Sequence, residues 1–176
     1  SPVIGLIHAL VFWGFCIILI GSLEMVVDGL FATHKAFKNL GIVYDIIMAL
    51  GDIFAFIILV AVFIFLVRRI LLHVKRFSGI EMKKISHVDA NISLTLILIL
   101  MVSLLGMNTF YIQSVRAEGI AVYGRYPVSE ILAGMLDTQP AVNSVLHEVF
   151  WWTHILVIFI FANYLPYSKH FHVFMS

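Results

Sequence analysis

The sequence has little charge and almost no cysteine. Charged residues occupy 12% of its 176 positions, about half the share found in an ordinary soluble domain. So few cannot cover a water-facing surface, which excludes a soluble globule. The 11 Lys and Arg against 10 Asp and Glu form no basic stripe with interleaved aromatics outside one short connection, which removes the argument for a nucleic-acid partner. Cys16 is the single cysteine, so the chain alone can build neither a disulfide nor a thiolate zinc site nor a four-cysteine cluster. Any redox chemistry here needs another cofactor or another chain.

What the sequence has is apolar length. Hydrophobic residues make up 62% of it and the mean hydropathy is +1.06, with runs at Val3–Phe31, Ile42–Val67, Ala90–Ile112 and Val142–Leu165. Each reaches the roughly 20 residues that span a bilayer. The expectation is an all-α polytopic membrane bundle of about four transmembrane helices, with residues 1–176 as a single domain. Small residues at Gly14 and Gly21, and at Gly51 and Ala55, suit close helix approach. The chain opens at Ser1-Pro2 without a methionine and closes at Met175-Ser176 without a polar tail, so it is expected to be part of a longer polypeptide.

Lys and Arg set an expected orientation. Arg68, Arg69, Lys75, Arg76, Lys83 and Lys84 lie in the second connection and Lys169 follows the last span, against Lys35, Lys38, Arg116 and Arg125 on the other side. The positive-inside rule puts the more basic side, with both ends of the segment, in the cytoplasm. The Gln113–Ala141 segment is then outside.

Histidine inside a membrane is costly and is read as functional by default. His154 and His172 are 18 positions apart, which on a continuous helix is five turns and about 27 Å on one face. That geometry suits two haem groups stacked across the bilayer, each held by a neutral imidazole. Pro166 lies between the two and makes the shared face approximate. His8, one or two turns inside the first span, can meet His172 across the bundle near the cytoplasmic face. His170 competes with His172, since two residues two apart cannot both face inward. His34, His73 and His87 read as turn or interfacial side chains.

The run Phe150-Trp151-Trp152-Thr153-His154, the run Leu165-Pro166-Tyr167-Ser168-Lys169-His170-Phe171-His172, His8 in Leu6-Ile7-His8 and the Arg68-Arg69 pair together resemble the haem b membrane subunit of respiratory nitrate reductase. They resemble still more closely the membrane domains of heterodisulfide-reductase-like iron–sulfur proteins. The resemblance implies a bacterial or archaeal cytoplasmic membrane and one or two b-type haems, with His8 and His172 ligating the cytoplasm-proximal iron and His154 the distal one. It also implies quinone exchange, and a cytoplasmic iron–sulfur module that is either a partner subunit in a larger complex or fused after residue 176. The chain would then be the membrane part of a quinone-linked oxidoreductase. Where the nitrate reductase subunit has the second ligand of its distal haem, this sequence has Ile18. Met25, Met48, Met107, His34, His147 or a helix before Ser1 are the alternatives. Arg68, Arg69 and Lys169 are candidate partners for haem propionates.

Four carboxylates gather toward the outside. Glu24 and Asp28 share a face of the first span, and Asp45 and Asp52 a face of the second. With His147, Glu148 and His154 they suggest a polar pocket where quinone exchanges protons, with Asp52, His147 and Glu148 as the candidate site. A haem-free membrane anchor or proton-conducting subunit using His154 and Asp52 is the alternative.

Overall fold

The computed structural model describes residues 2–70, 84–136 and 138–164, with side chains at 12–68, 91–136 and 138–164. These residues form α1 (Pro2–Phe31), a single 3₁₀ turn at Lys38–Leu40, α2 (Ile42–Ile70), α3 (Lys84–Ala117), a short α4 (Pro127–Met135) and α5 (Pro140–Tyr164), with no strand among them. Four helices carry stretches long and apolar enough to cross a membrane: Phe12–Phe31, Ile42–Arg68, Asn91–Ala117 and Pro140–Tyr164. The chain is a multi-pass membrane protein, as its hydropathy requires. In lipid a backbone must satisfy its own polar groups, and a helix does so within one segment.

The sequence reading treats Gln113–Ala141 as a connection, and there the structure differs. Helix α3 continues to Ala117, and α4 folds back against the bundle. Pro127 opens α4 at the position where a missing N–H costs nothing.

The spanning helices run antiparallel to their neighbours. Gly14 and Gly21 of α1 face Phe54 and Met48 of α2. Asp52 of α2 meets Asn108 of α3, and Ser103 and Met107 of α3 meet His154 and His147 of α5. Helix α3 lies in the middle: 39% of its spanning window is buried, against 17–22% for the other three. Its inner face supplies Leu100, Met101 and Leu105 to a cluster with Ala55 and Val157. A second cluster joins α1 to α5 across α3, through Met25, Met107 and Ile155.

Close approach of α3 and α5 depends on Gly106. A β-carbon placed there would stand 2.8–2.9 Å from ring carbons of Phe150, and that ring is also stacked on Phe110 at 5.7 Å. Neither ring can yield without unpacking the seam. Gly134 in α4 has open space around its β-position. Gly106→Ala is therefore expected to destabilise the protein by about 1–3 kcal/mol through overpacking. Gly134→Ala should stabilise it by about 0.5 kcal/mol through helix propensity. Thermal unfolding of the two variants in detergent, followed by helical circular dichroism, checks both signs.

Candidate functional site

His154 sits on the inner face of α5 with 1% of its surface exposed. Its Nδ1 lies 3.1 Å from the Leu100 carbonyl and 2.9 Å from Ser103 Oγ, both on α3. A carbonyl only accepts, so Nδ1 carries the ring proton. Ser103 is fixed in turn by its own bond to the Leu100 carbonyl at 2.9 Å. Nε2 is then an unprotonated acceptor, and it is buried without a hydrogen-bond partner. A buried lone pair left open costs stability unless something occupies it. Imidazoles that ligate metal ions are commonly held this way, with the far N–H on a backbone carbonyl.

The side chain thus fits the chemistry of an axial haem ligand. The described residues hold no cluster of three or more His, Cys, Asp or Glu able to bind a bare metal ion. Among the alternative second ligands, Met25 and Met107 are buried together against Ile155, which follows His154. Met48 packs farther along, beside Ile112 and Tyr126. His34 is exposed in its turn.

The α4 end of the bundle is organised by carboxylates. Asp52, 1% exposed, accepts the backbone N–H groups of Val128 at 2.8 Å and Ser129 at 2.9 Å through Oδ2. Its Oδ1 accepts the Ser129 hydroxyl at 2.5 Å and the Asn108 amide at 3.3 Å. Pro127 has no N–H, and the Glu130 N–H bonds to the Tyr126 carbonyl at 2.8 Å. Every donor in the first turn of α4 is accounted for, with Asp52 acting as an N-cap supplied from another helix. At the far end of α4, Gln113 Nε2 donates to the carbonyls of Ala133 and Leu136.

Two more carboxylates hold the 32–41 connection. Helix α1 ends with Ala32 at φ 50° and a bond from the Thr33 N–H to the Asp28 carbonyl at 3.2 Å, a left-handed stop filled here by alanine. The Asp28 carboxylate accepts the N–H groups of Lys35 and Ala36, both at 3.0 Å, and the Thr33 hydroxyl at 2.7 Å. Glu24 accepts the Phe37 N–H at 3.0 Å and the Tyr44 hydroxyl at 2.9 Å. The turn directs Lys35 inward. Its Nζ donates to the Tyr126 hydroxyl at 3.0 Å and stands 4.7 Å from the centroid of the Tyr111 ring. Burial works against the ammonium charge, but Tyr126, Glu24 and Tyr111 outweigh it and raise the Lys35 pKa above its ordinary value.

Beneath α4 lies a cavity of about 40 Å³ lined by Glu24, Lys35, Asp52, Asn108, Tyr126 and hydrophobic neighbours. The structure does not gather Asp52, His147 and Glu148 into one pocket. His147 turns its Nδ1 to the Met107 carbonyl at 3.1 Å and its ring toward Tyr111. Glu148 is exposed on another flank of α5, in an open groove of about 660 Å³ with Ser144, Trp152 and Thr153. Arg68 is exposed at the end of the α2 span. The side chains of His8 and Arg69, and all of Lys169, His170 and His172, lie outside the described residues.

Lys35, Tyr44, Tyr126 and Ser103 were not singled out from the sequence as parts of a site. Only Lys35 left a trace there, as a cation beside a span end.

Comparison with known proteins gives one relative of note. The chain is 27% identical over 177 aligned positions to Probable iron-sulfur-binding oxidoreductase FadF of Bacillus subtilis (strain 168), covering 96% of this chain and 22% of that protein. The chain therefore spans about a fifth of that relative's length. No family model and no solved structure matches it.

Replacing Asp52 by alanine leaves two backbone N–H groups and the Ser129 hydroxyl without their acceptor. Asp52→Ala is expected to weaken α4 docking by about 2 kcal/mol, so that the Val128 and Ser129 amides exchange about thirtyfold faster. Asp52→Asn, which keeps one acceptor oxygen, should recover part of the protection. Hydrogen exchange read by mass spectrometry over the 118–139 segment measures both.

Proposed function

We propose that this chain is the membrane electron-transfer segment of an iron–sulfur oxidoreductase. In this reading it carries electrons through b-type haem between a membrane quinone pool and an iron–sulfur module at the cytoplasmic face. The observation that carries the reading is His154: a buried neutral imidazole with its Nδ1 proton engaged and its Nε2 lone pair bare. Two further facts support it. The relative named above is called an iron–sulfur-binding oxidoreductase, and four helices of this chain are fit to cross a membrane.

His154 would hold one haem iron, with Leu100 and Ser103 fixing its ring. His8 and His172 would hold a second, nearer the cytoplasmic face, with Arg68, Arg69 and Lys169 beside its propionates. The haem, when bound, supplies one-electron chemistry, and the chain supplies ligand, orientation and a low dielectric. Both ends of the segment would face the cytoplasm of a bacterial or archaeal cell, and the α4 end would face outward.

For the quinone, the groove on α5 suits lateral entry from the bilayer. Glu148 stands in it as a proton-exchanging group beside Trp152. His147, on the neighbouring flank, keeps Nε2 available for the same task. Asp52 in this reading holds α4 in place.

The test is a reduced-minus-oxidised spectrum of the full-length protein purified from membranes, with haem extracted and counted. b-type bands are expected. With two haems, His154→Leu should lose one and retain the other, and His8→Leu or His172→Leu should lose the cytoplasm-proximal one. A flat wild-type spectrum overturns the proposal and favours the haem-free anchor, and a haem content unchanged by His154→Leu overturns the assignment of an iron to His154.

A further inference from the structure

Lys35 turns inward from the 32–41 connection, and nothing proposed above uses it. Its Nζ stands 4.7 Å from the centroid of the Tyr111 ring and 5.4 Å from that of Tyr126. An ammonium has three N–H donors, and one of them goes to the Tyr126 hydroxyl at 3.0 Å. The ion pair found among the described residues is Arg116–Glu130, on the surface, so no carboxylate touches Lys35 directly. Burial opposes its charge, yet Tyr126, Glu24 and Tyr111 outweigh that and hold its pKa above the ordinary value. Glu24 therefore acts on the ammonium from a distance, across the cavity of about 40 Å³ that both side chains line.

The other polar groups on the cavity wall differ in what they have left to offer. A carboxylate has about four lone-pair sites. Asp52 fills its own with the Val128 and Ser129 N–H groups, the Ser129 hydroxyl and the Asn108 amide. Glu24 spends one site on the Phe37 N–H and one on the Tyr44 hydroxyl, which leaves it about half of its capacity. Asn108 donates through Nδ2 to Asp52 and keeps an Oδ1 that can only accept. Glu24 and Asn108 are both buried, where an acceptor without a donor is costly. A spare donor on Lys35 and spare acceptors on Glu24 and Asn108 thus border one small space, contributed by the 32–41 connection, α1 and α3.

We infer that this cavity is a water-binding site, in which a water accepts from the Lys35 ammonium and donates to Glu24 and to Asn108 Oδ1. Buried waters typically make about three hydrogen bonds, and about 10–15 Å³ is enough to hold one. The chemistry selects a small neutral ligand with both donors and an acceptor. A metal cation would be repelled by the ammonium, and an anion by Glu24 and Asp52. Gly21 and Gly51 border the cavity without side chains of their own, which keeps its volume open. The bound water joins α1, the 32–41 connection and α3, and through the bond from Asn108 to Asp52 it reaches the seat of α4. Lys35 and Glu24 form an ion pair completed by that water. The site goes beyond the electron-transfer reading and does not rest on it.

The experiment is X-ray hydroxyl-radical footprinting of the full-length protein, with oxidation of each methionine read by mass spectrometry. Radicals from bulk water do not reach a buried side chain, whereas radicals born from a bound water attack whatever surrounds it. Met25 and Met107 line the cavity and are 7% and 4% exposed. Met101, 6% exposed, packs in a separate cluster with Ala55 and Val157 and serves as the control. Met25 and Met107 should oxidise about tenfold faster than Met101 in the wild type. Lys35→Leu, which removes the ammonium, should bring them down to the Met101 rate, with circular dichroism confirming intact helices. Equal rates at all three methionines in the wild type overturn the site, and that comparison needs no variant to fold. Fast oxidation that persists in an intact Lys35→Leu protein overturns the role of Lys35 in holding the water. Neither readout involves haem or quinone, so a failure here is distinct from a failure of the electron-transfer reading.

Discussion

Asp52 lies well inside α2, yet it caps a different helix. A carboxylate at that depth has no bulk water to solvate it, and the N-terminus of α4 has backbone donors with no helical acceptor. Each deficit satisfies the other: two N–H groups, a hydroxyl and an amide converge on the two oxygens. The partial positive charge at a helix N-terminus adds to the same attraction. As a result α4 is drawn down onto α2 and α3, and Tyr126, immediately before it, is brought over Tyr111 and Lys35.

Glu24 and Asp28 repeat the device on the first connection. Between them they accept the N–H groups of Lys35, Ala36 and Phe37, which turns the backbone so that Lys35 points inward. Lys35 itself takes a left-handed conformation, φ 57°, which is uncommon for a side chain of that size. The strain is held by the three carboxylate contacts and offset by the ammonium's place over the aromatic rings. The cavity, the tyrosine pair and the inward lysine are all consequences of carboxylates used as backbone acceptors.

What could be read from the sequence followed the strength of each signal. Four apolar runs in lipid admit one backbone solution, so the spans were legible to within a few residues. That Glu24 shares a helix face with Asp28, and Asp45 with Asp52, was legible, because helical spacing alone fixes that. Their partners were not, since they are backbone groups in connections whose path depends on the carboxylates themselves. Helix α4 was missed for a related reason. Its nine residues include Gly134 and lie in a Gly- and Pro-rich segment, and most of what fixes them is tertiary. His154 stood out as a polar residue in an apolar run. Its ring orientation did not, because it is set by Leu100 and Ser103 more than fifty positions away.

His154 and the α4 network occupy different environments, and the difference bears on what each can do. The seam between α3 and α5 around His154 is apolar, with Leu100, Ile155 and Val157 buried nearby. A charge placed there would lack compensating dipoles, so the seam suits a neutral imidazole. The α4 end instead pairs its ammonium, hydroxyls and carboxylates in separate hydrogen bonds, Lys35 with Tyr126, Tyr44 with Glu24 and Ser129 with Asp52. The hydrophobic cluster of Met25, Met107 and Ile155 lies between them. The fold thus keeps the buried imidazole and the hydrogen-bonded network apart along the bundle while tying both to α3.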